Sequence, residues 1–530
     1  MIAASILAAA SPSPAPVAVA GSGIFNSSLL LSLLVWTPVL VAAVIAVLPN
    51  PRGRYDGLIK QIAFFTNLGL LFILWVAYNQ FQQFLSGVQF EENVQWLPAI
   101  GAVYHLGVDG PGMVMLIVSG LVGLASVLAS FGIRERVRSY FCLVLLTEAC
   151  ITGTIVAHDM FMLVLFWGAA AIPVTLLVLG WGGPRREAAA WRLAGYWGIG
   201  TIALLVAVMV LYAATGGTSF DMDVLLKAVL TPPAQLMVGA AVIVAAATRL
   251  PLFPLHGWAR DVYSEAPVGV AVVVAGSASR LGAYVLLRVL VSAEPIGAQL
   301  LSPLLAGLAA ITVVYAGLVL LRSTDLRHAA AHLALVTGGI TALGLAALSP
   351  LGIAGSVLSL FSGGLAAALI VGGCAILTDR AQSRSLYVLS GLAPRMPKLT
   401  WIIVFGIFGV LGVPLMASFP AEAMTFFGSI KHQPVWTFAV AAGLAVAAAG
   451  VVVITHRVLF GSPNPDAPGV SDASLGETWF LALLAGGLIW VGAFPGGPKL
   501  PGTDTPIFDP GLVNTMAAGI TDIASPYAAK

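Results

Sequence analysis

Apolar runs long enough to cross a bilayer begin near Leu29 and recur through this 530-residue chain, separated by mostly short connections. A helix of about 20 apolar residues spans the hydrocarbon core with all its backbone groups bonded inside the segment. The runs predict helices at 29–49, 61–80, 111–131, 138–157, 159–181, 193–214, 232–250, 268–292, 301–321, 329–347, 353–377, 399–418, 435–459 and 475–495. The expected fold class is an all-α polytopic membrane protein of about 14 transmembrane helices. Hydrophobic residues fill 59% of positions and charged residues 9%, where a soluble domain needs about a quarter charged. The surface must therefore face lipid. Cys142, Cys150 and Cys374 lie singly in apolar segments, without metal or redox-motif spacing. They read as small core residues, and no metal or cofactor site is expected in this chain alone.

Three stretches fall outside the spans. Residues 1–28 are Ala-, Ser- and Pro-rich with no basic residue ahead of a short apolar stretch. They make a poor signal peptide and read as a disordered or weakly attached extension. The segment 81–110, with Glu91 and Glu92, reads as an extramembrane loop between the second and third helices. The Pro- and Gly-rich tail after Phe494 reads as irregular.

Charge placement predicts orientation. Odd-numbered connections carry seventeen Lys and Arg and even-numbered ones two, Lys227 and Lys431. Cationic loops stay in the cytoplasm, so the odd connections are expected there and both termini on the other side. A net charge of +2 without a long basic run excludes a nucleic-acid partner.

Ionisable groups at membrane depth are costly, so each is a functional candidate. They are Glu148 in LLTEACITGT, Arg249 ahead of the Pro251/Pro254 break, His256 within it, Arg280 in the eighth helix, His332 in the tenth, and Glu422 in LGVPLMASFPAEAMTFFGS. Structural readings stand beside functional ones. Arg288 reads as snorkelling to an interface, and His256 as capping backbone groups freed by the prolines. The two glutamates must be protonated, wet, or paired, with Arg249 or Arg280 the natural partners.

Ordered motifs add a family. RLPLFPLHGW at 249–258 is followed by Asp261, SEAP at 264–267 and RLGAYVLLR at 280–288. GVDGPGM at 107–113, Trp167 through Pro173, and WGGPRR at 181–186 precede them. Asp325-Leu-Arg327, Gly391-Leu392, LGVP at 411–414 with Glu422, and RVLFG at 457–461 come after. Over roughly 105–465 the chain resembles the subunit M (chain 4) family of NADH-quinone oxidoreductase, the antiporter-like membrane subunits of respiratory complex I.

The resemblance implies two inverted five-helix repeats, each with a broken helix, at 132–292 and 293–465. Peripheral helices and the loop would occupy 29–131, and the last helix and tail 466–530. It implies a non-redox subunit of a translocating oxidoreductase, in which a Glu–Lys pair, a central lysine, histidines and a terminal Lys or Glu pass protons. NADH, flavin, iron–sulfur clusters and quinone would belong to partner subunits, in a membrane arm carrying a peripheral redox arm. A bacterial plasma membrane is the expected location, with a thylakoid membrane as the alternative.

The sequence departs from that pattern where it matters most. Gly168 stands in place of the paired glutamate, Arg249 in place of its lysine, Arg280 for the central lysine and Arg327 for that of the Asp-Leu-Lys element. Thr337 and Gly363 stand where histidines are expected; the distal acid survives as Glu422. Arginine stays protonated and cannot relay a proton by cycling its charge, and a fixed cation raises a barrier to other cations. Glu148 could pair with Arg249 in place of the lost acid. The expectation is a channel scaffold whose ordinary proton wire is broken or rerouted. Two alternatives remain: a non-pumping structural paralogue, or a transport subunit of an inorganic-carbon-uptake, hydrogenase-linked or sodium/proton antiporter complex. In the latter the arginines would attract an anion such as bicarbonate.

Overall fold

The computed structural model describes residues 29–50, 53–82, 87–292, 295–462, 471–493, 515–516, 520 and 523–527. The extension 1–28 and most of the tail lie outside the described residues. Helices α1 (Leu30–Val47) and α2 (Asp56–Gln80) precede an antiparallel hairpin, β1 (Gln89–Leu97) and β2 (Ala102–Val108). Then follow α3 (Gly110–Ala129), α4 (Val137–Val156), α5 (Met160–Trp181), α6 (Arg186–Ala214), α7 (Pro232–Arg249), α8 (Gly257–Glu265) and α9 (Val268–Val291). The remainder is α10 (Pro295–Leu321), α11 (Leu326–Ala346), α12 (Pro350–Ala381), α13 (Pro397–Val410), α14 (Ser418–Ile430), α15 (Pro434–Phe460) and α16 (Leu475–Ala493).

Twelve of these helices are long and apolar enough to cross a membrane, against about fourteen expected. The remaining two expected spans, 232–250 and 399–418, correspond to α7 and the 14-residue α13, each the first limb of an interrupted helix. The interruptions follow from local sequence. Pro251 and Pro254 lack N–H donors, so α7 stops at Arg249 and the chain restarts as α8. Gly412 takes φ +59° after α13, a conformation that suits a residue without Cβ. Five spans run from α4 to α9 and five from α10 to α15, and in each set the fourth is the interrupted one. Five is odd, so the second set enters the bilayer from the opposite face and is inverted relative to the first.

The core lies where helices bury every face. The α9, α11 and α12 segments are buried throughout, whereas α2 and α6 bury about a third of theirs. Connections sort to two ends. At one end Gly183 N donates to Glu265 O (2.8 Å), Arg384 pairs with Glu265 (2.7 Å), and Leu326 N donates to Arg384 O (2.9 Å). At the other sits the hairpin, which replaces the expected loop at 81–110. Its Glu92 turns inward and accepts from Leu31 N (2.9 Å) and Ser32 N (3.1 Å), satisfying donors left free at the start of α1. A described part of the tail packs on the helices: Tyr527 donates from its hydroxyl to Val291 O (2.8 Å) at the end of α9.

Candidate functional site

Arg249, the last residue of α7, is fully buried. Its guanidinium lies 3.6 Å from the Trp197 ring centre and 4.6 Å from that of Trp167, and donates to the Trp167 carbonyl. Its Nε and Nη1 have no partner. The expected pairing with Glu148 does not form. Glu148, on α4, is hydrogen-bonded instead to Asn67 of α2, and its Oε2 has no partner. Two indole faces thus take the place of an acid, since a cation over an aromatic face is attracted by the ring quadrupole. Beside them, a Cβ on Gly168 would meet the Thr201 methyl at 2.9 Å.

Arg280 sits in α9 directly beyond a π-helical turn, Val274–Ala278. Its Nη2 donates to Thr337 Oγ1 (2.8 Å), while Nε and Nη1 have no partner. Gly363 faces it; a Cβ there would stand 3.5 Å from Nη1. Hydroxyls continue from this point, with Thr341 Oγ1 and Ser359 Oγ 2.8 Å apart. Neither Glu148 nor Glu422 forms an ion pair with Arg280, so that expected pairing is also absent among the described residues.

The remaining candidates separate by environment. Arg327 is fully engaged: Nε donates to Thr378 Oγ1 (2.7 Å), Nη1 to Ser264 O (2.8 Å), and Nη2 pairs with Asp379. It fastens α11 to α12 and to the end of α8. His256 does not cap the α7 break. Phe253 N donates to Thr312 Oγ1 (2.9 Å) and Trp258 Nε1 to Thr248 O (2.7 Å) instead. His256 stacks in an aromatic row, 4.8 Å from Tyr315, whose far side lies 5.9 Å from His332. The His332 Nδ1 is 2.7 Å from His328 O and so carries the proton. Glu422 of α14 lies against Gly412 in the second interruption, and no charged side chain among the described residues is seen to act on it. The structure thus brings Arg280 to Thr337 and Gly363, Arg249 to Gly168, and His256 toward His332; Glu148 and Glu422 stand apart.

Residues 157–448 match the family described as NADH:quinone oxidoreductase/Mrp antiporter, TM. The chain belongs to this family. It is 30% identical over 446 residues to NAD(P)H-quinone oxidoreductase chain 4 1 of a Synechococcus species (strain JA-2-3B'a(2-13)), covering 82% of this chain and 83% of that relative. It is 26% identical over 475 residues to chain 4 3 of Trichormus variabilis, covering 88% of each. Its fold matches a chain of respiratory complex I from Thermus thermophilus, with TM-score 0.81, 23% identity, and 94% and 99% coverage of the two chains. It also matches a chain of the Mrp complex from Dietzia sp. DQ12-45-1b, with TM-score 0.81, 18% identity, and 94% and 98% coverage. In this family member, no described group of three or more His, Cys, Asp or Glu side chains is placed to hold a metal ion.

The sequence reading missed one buried ion pair. Arg288, read as snorkelling, is buried and pairs with Asp109 at the start of α3 (2.9 Å), and its Nε donates to the Tyr284 hydroxyl (3.0 Å). Asp109 also accepts from Gly112 N (2.9 Å) as an N-cap. The signal available was the Asp-Gly-Pro-Gly run at 109–112, which reads as a helix start.

Proposed function

We propose that this chain is a membrane-arm subunit of a complex I-like NAD(P)H:quinone oxidoreductase, associated with proton translocation coupled to electron transfer. The names of its curated relatives support this, as does an interrupted helix in each five-span set. It acts as a non-redox part of the translocase. NADH, flavin, iron–sulfur clusters and quinone belong to partner subunits, among them other membrane-arm subunits and a peripheral redox arm. The arginine-rich ends face the cytoplasm by the positive-inside bias, so both termini lie on the other side. A bacterial plasma membrane is the proposed location; the cyanobacterial relatives favour the thylakoid alternative.

One observation supports a particular form of this role. At the two positions where the family pattern places titratable lysines, the chain buries Arg249 and Arg280 without any acid beside them. These cations hold their charge at physiological pH, so proton movement is confined to groups such as Glu422, Glu148 and the hydroxyls around Thr337. The same observation favours a second reading, a non-pumping paralogue that fills the membrane arm. Purifying the tagged chain from native membranes identifies its partners, and quinone- and NAD(P)H-module subunits are expected. Protons moved per electron pair, measured with and without Glu422→Gln, separate the two readings. A lowered ratio supports translocation through this chain; an unchanged one supports the structural role.

A further inference from the structure

The hairpin end of the protein holds a second group of ionisable side chains, apart from Arg249 and Arg280. Three segments meet there: β2, the link 157–159 between α4 and α5, and the turn after α6. Backbone bonds pin them together. His158 N donates to His105 O (2.8 Å), Met222 N to His158 O (2.9 Å), and Phe220 N to Gly101 O (3.1 Å). Asp159 accepts from Val103 N (3.0 Å). These bonds fix the three segments in register around the ionisable side chains.

Inside the seam, the His105 and His158 rings lie 4.8 Å apart, edge to face. His105 Nδ1 is 2.7 Å from Asp221 Oδ2, and His158 Nε2 is 3.3 Å from Asp223 Oδ1. Both imidazoles are buried, but the Asp223 side chain is 60% exposed. The other ring nitrogens, His105 Nε2 and His158 Nδ1, are enclosed and have no partner. One edge of His158 therefore looks into the protein while the other reaches a carboxylate in water. The Arg288–Asp109 pair stands on the inner side, close enough for Arg288 to act electrostatically on His158.

We propose that His158 and Asp223, steadied by His105 and Asp221, form a proton port between the hairpin-side aqueous phase and the end of α9. This rests on the translocating role proposed above. In the resting form Nε2–H donates to Asp223. A proton arriving from the interior binds Nδ1, the Nε2 proton passes to the Asp223 carboxylate, and Asp223 releases it to bulk water. Ring rotation then turns the Nδ1–H edge toward the aqueous side and leaves the bare Nε2 facing inward to take the next proton, and entry uses the same atoms in reverse. The groups around the ring favour passage over storage. Burial, then the Arg288 charge, lowers the His158 pKa, and Asp223 opposes them only partly. Next to it the hydrogen bond from His105 to Asp221 raises the His105 pKa, with Glu91 and Asp223 adding to the effect. A protonated His105 discourages a second charge on His158 at 4.8 Å.

The test uses the assembled complex in proteoliposomes, with His158→Ala and Asp223→Asn. A positioned proton-transfer group contributes about 100-fold or more to its step, so protons moved through this chain per electron pair should fall at least about tenfold in His158→Ala. Added imidazole should restore them, which a merely structural role would not allow. Asp223→Asn, at an exposed side chain, should slow translocation and shift its pH profile. Infrared difference spectra of labelled histidine should show a titrating His158 band that moves in Asp223→Asn. Loss without imidazole rescue, or a His158 band indifferent to Asp223, overturns the port. If wild-type translocation is already independent of this chain, the functional reading fails, and the infrared titration still decides whether His158 and Asp223 exchange a proton.

Discussion

The Asp109–Arg288 pair offers the sharpest energetic test, because one carboxylate does two separable jobs. Oδ2 neutralises a guanidinium that is buried in α9, and Oδ1 caps α3 through Gly112 N. Removing one partner of a buried pair costs about 3–5 kcal/mol, since the other charge is left uncompensated. Losing an Asp N-cap costs about 0.5–2 kcal/mol. Asp109→Ala should therefore destabilise by about 4–6 kcal/mol, near the upper limit for single substitutions. Asp109→Asn keeps a capping oxygen and an acceptor for Arg288, so it should recover about 1–2 kcal/mol of that loss. Arg288→Met removes the charge but retains a long apolar stem. The double variant Asp109→Ala/Arg288→Met should then be more stable than Asp109→Ala alone, with a coupling of about 1.5–3 kcal/mol. Steric trapping of the purified chain in bicelles gives the four stabilities of the cycle. Coupling near zero, or an Asn variant as unstable as the Ala variant, would show that the pair contributes geometry and no net electrostatic energy.

Other expectations follow from single contacts. Gly168→Glu drives its Cβ against the Thr201 methyl, so it should lower the unfolding temperature, an overpacking cost of about 1–3 kcal/mol; adding Thr201→Ser, which deletes that methyl, should restore part of it. Arg280→Lys places a cation of lower intrinsic pKa in a buried site, and should add to the pH profile of proton movement per electron pair a titration that the wild-type profile lacks. Glu92→Ala strands two backbone donors at the start of α1, Leu31 N and Ser32 N, and leaves the Ser32 hydroxyl with Tyr104; proteolysis between α1 and β1 should quicken severalfold, while Glu92→Gln should be milder. The hairpin seam should be most stable near neutral pH. The His105 pKa is raised, so its contribution is complete below the unfolded value near 6.5 and is lost as pH climbs through the folded one; the His158 pKa is lowered, so its contribution is present above that unfolded value and is lost as pH falls toward the folded one. Hydrogen exchange at Val103 and Leu106 across pH 5–9 reads both arms, and His105→Asn should abolish the alkaline one.

Much of this fold was legible because the bilayer leaves so few solutions. A run such as 353–377 has to be a helix, and it proved to be the core of the longer α12. The prolines at 251 and 254 announced a break, and the structure put one there. What the sequence concealed was partnership. Hydropathy marks Glu148 and Arg249 as costly but does not say which of them meets what, and both found neutral partners: an asparagine for one, two tryptophans for the other. The hairpin was hidden for a different reason. Its first strand is mostly exposed, with no alternating pattern to betray it, and its one inward carboxylate, Glu92, binds backbone donors 60 residues away. Tyr315, which joins His256 to His332, sits in an apolar helix and carries no charge to draw notice.

The two interruptions carry opposite chemistry, and this asymmetry constrains any path through the chain. At the first, Arg249 is a permanent cation held between indole faces; at the second, Glu422 is an acid without a cationic neighbour. Between them Arg280 fixes a further positive charge, and its side-chain hydrogen bond leads into the hydroxyls of Thr337, Thr341 and Ser359. Hydroxyls can hand a proton along but do not hold one near neutral pH. A proton cannot be stored at Arg280, since the guanidinium is already charged. Passage toward the first interruption would require it to approach two uncompensated cations at low dielectric, where the Coulomb cost at 4 Å is about 4 kcal/mol even at an effective dielectric of 20. The arginines thus set an electrostatic barrier between the half holding Glu422 and the half holding Arg249.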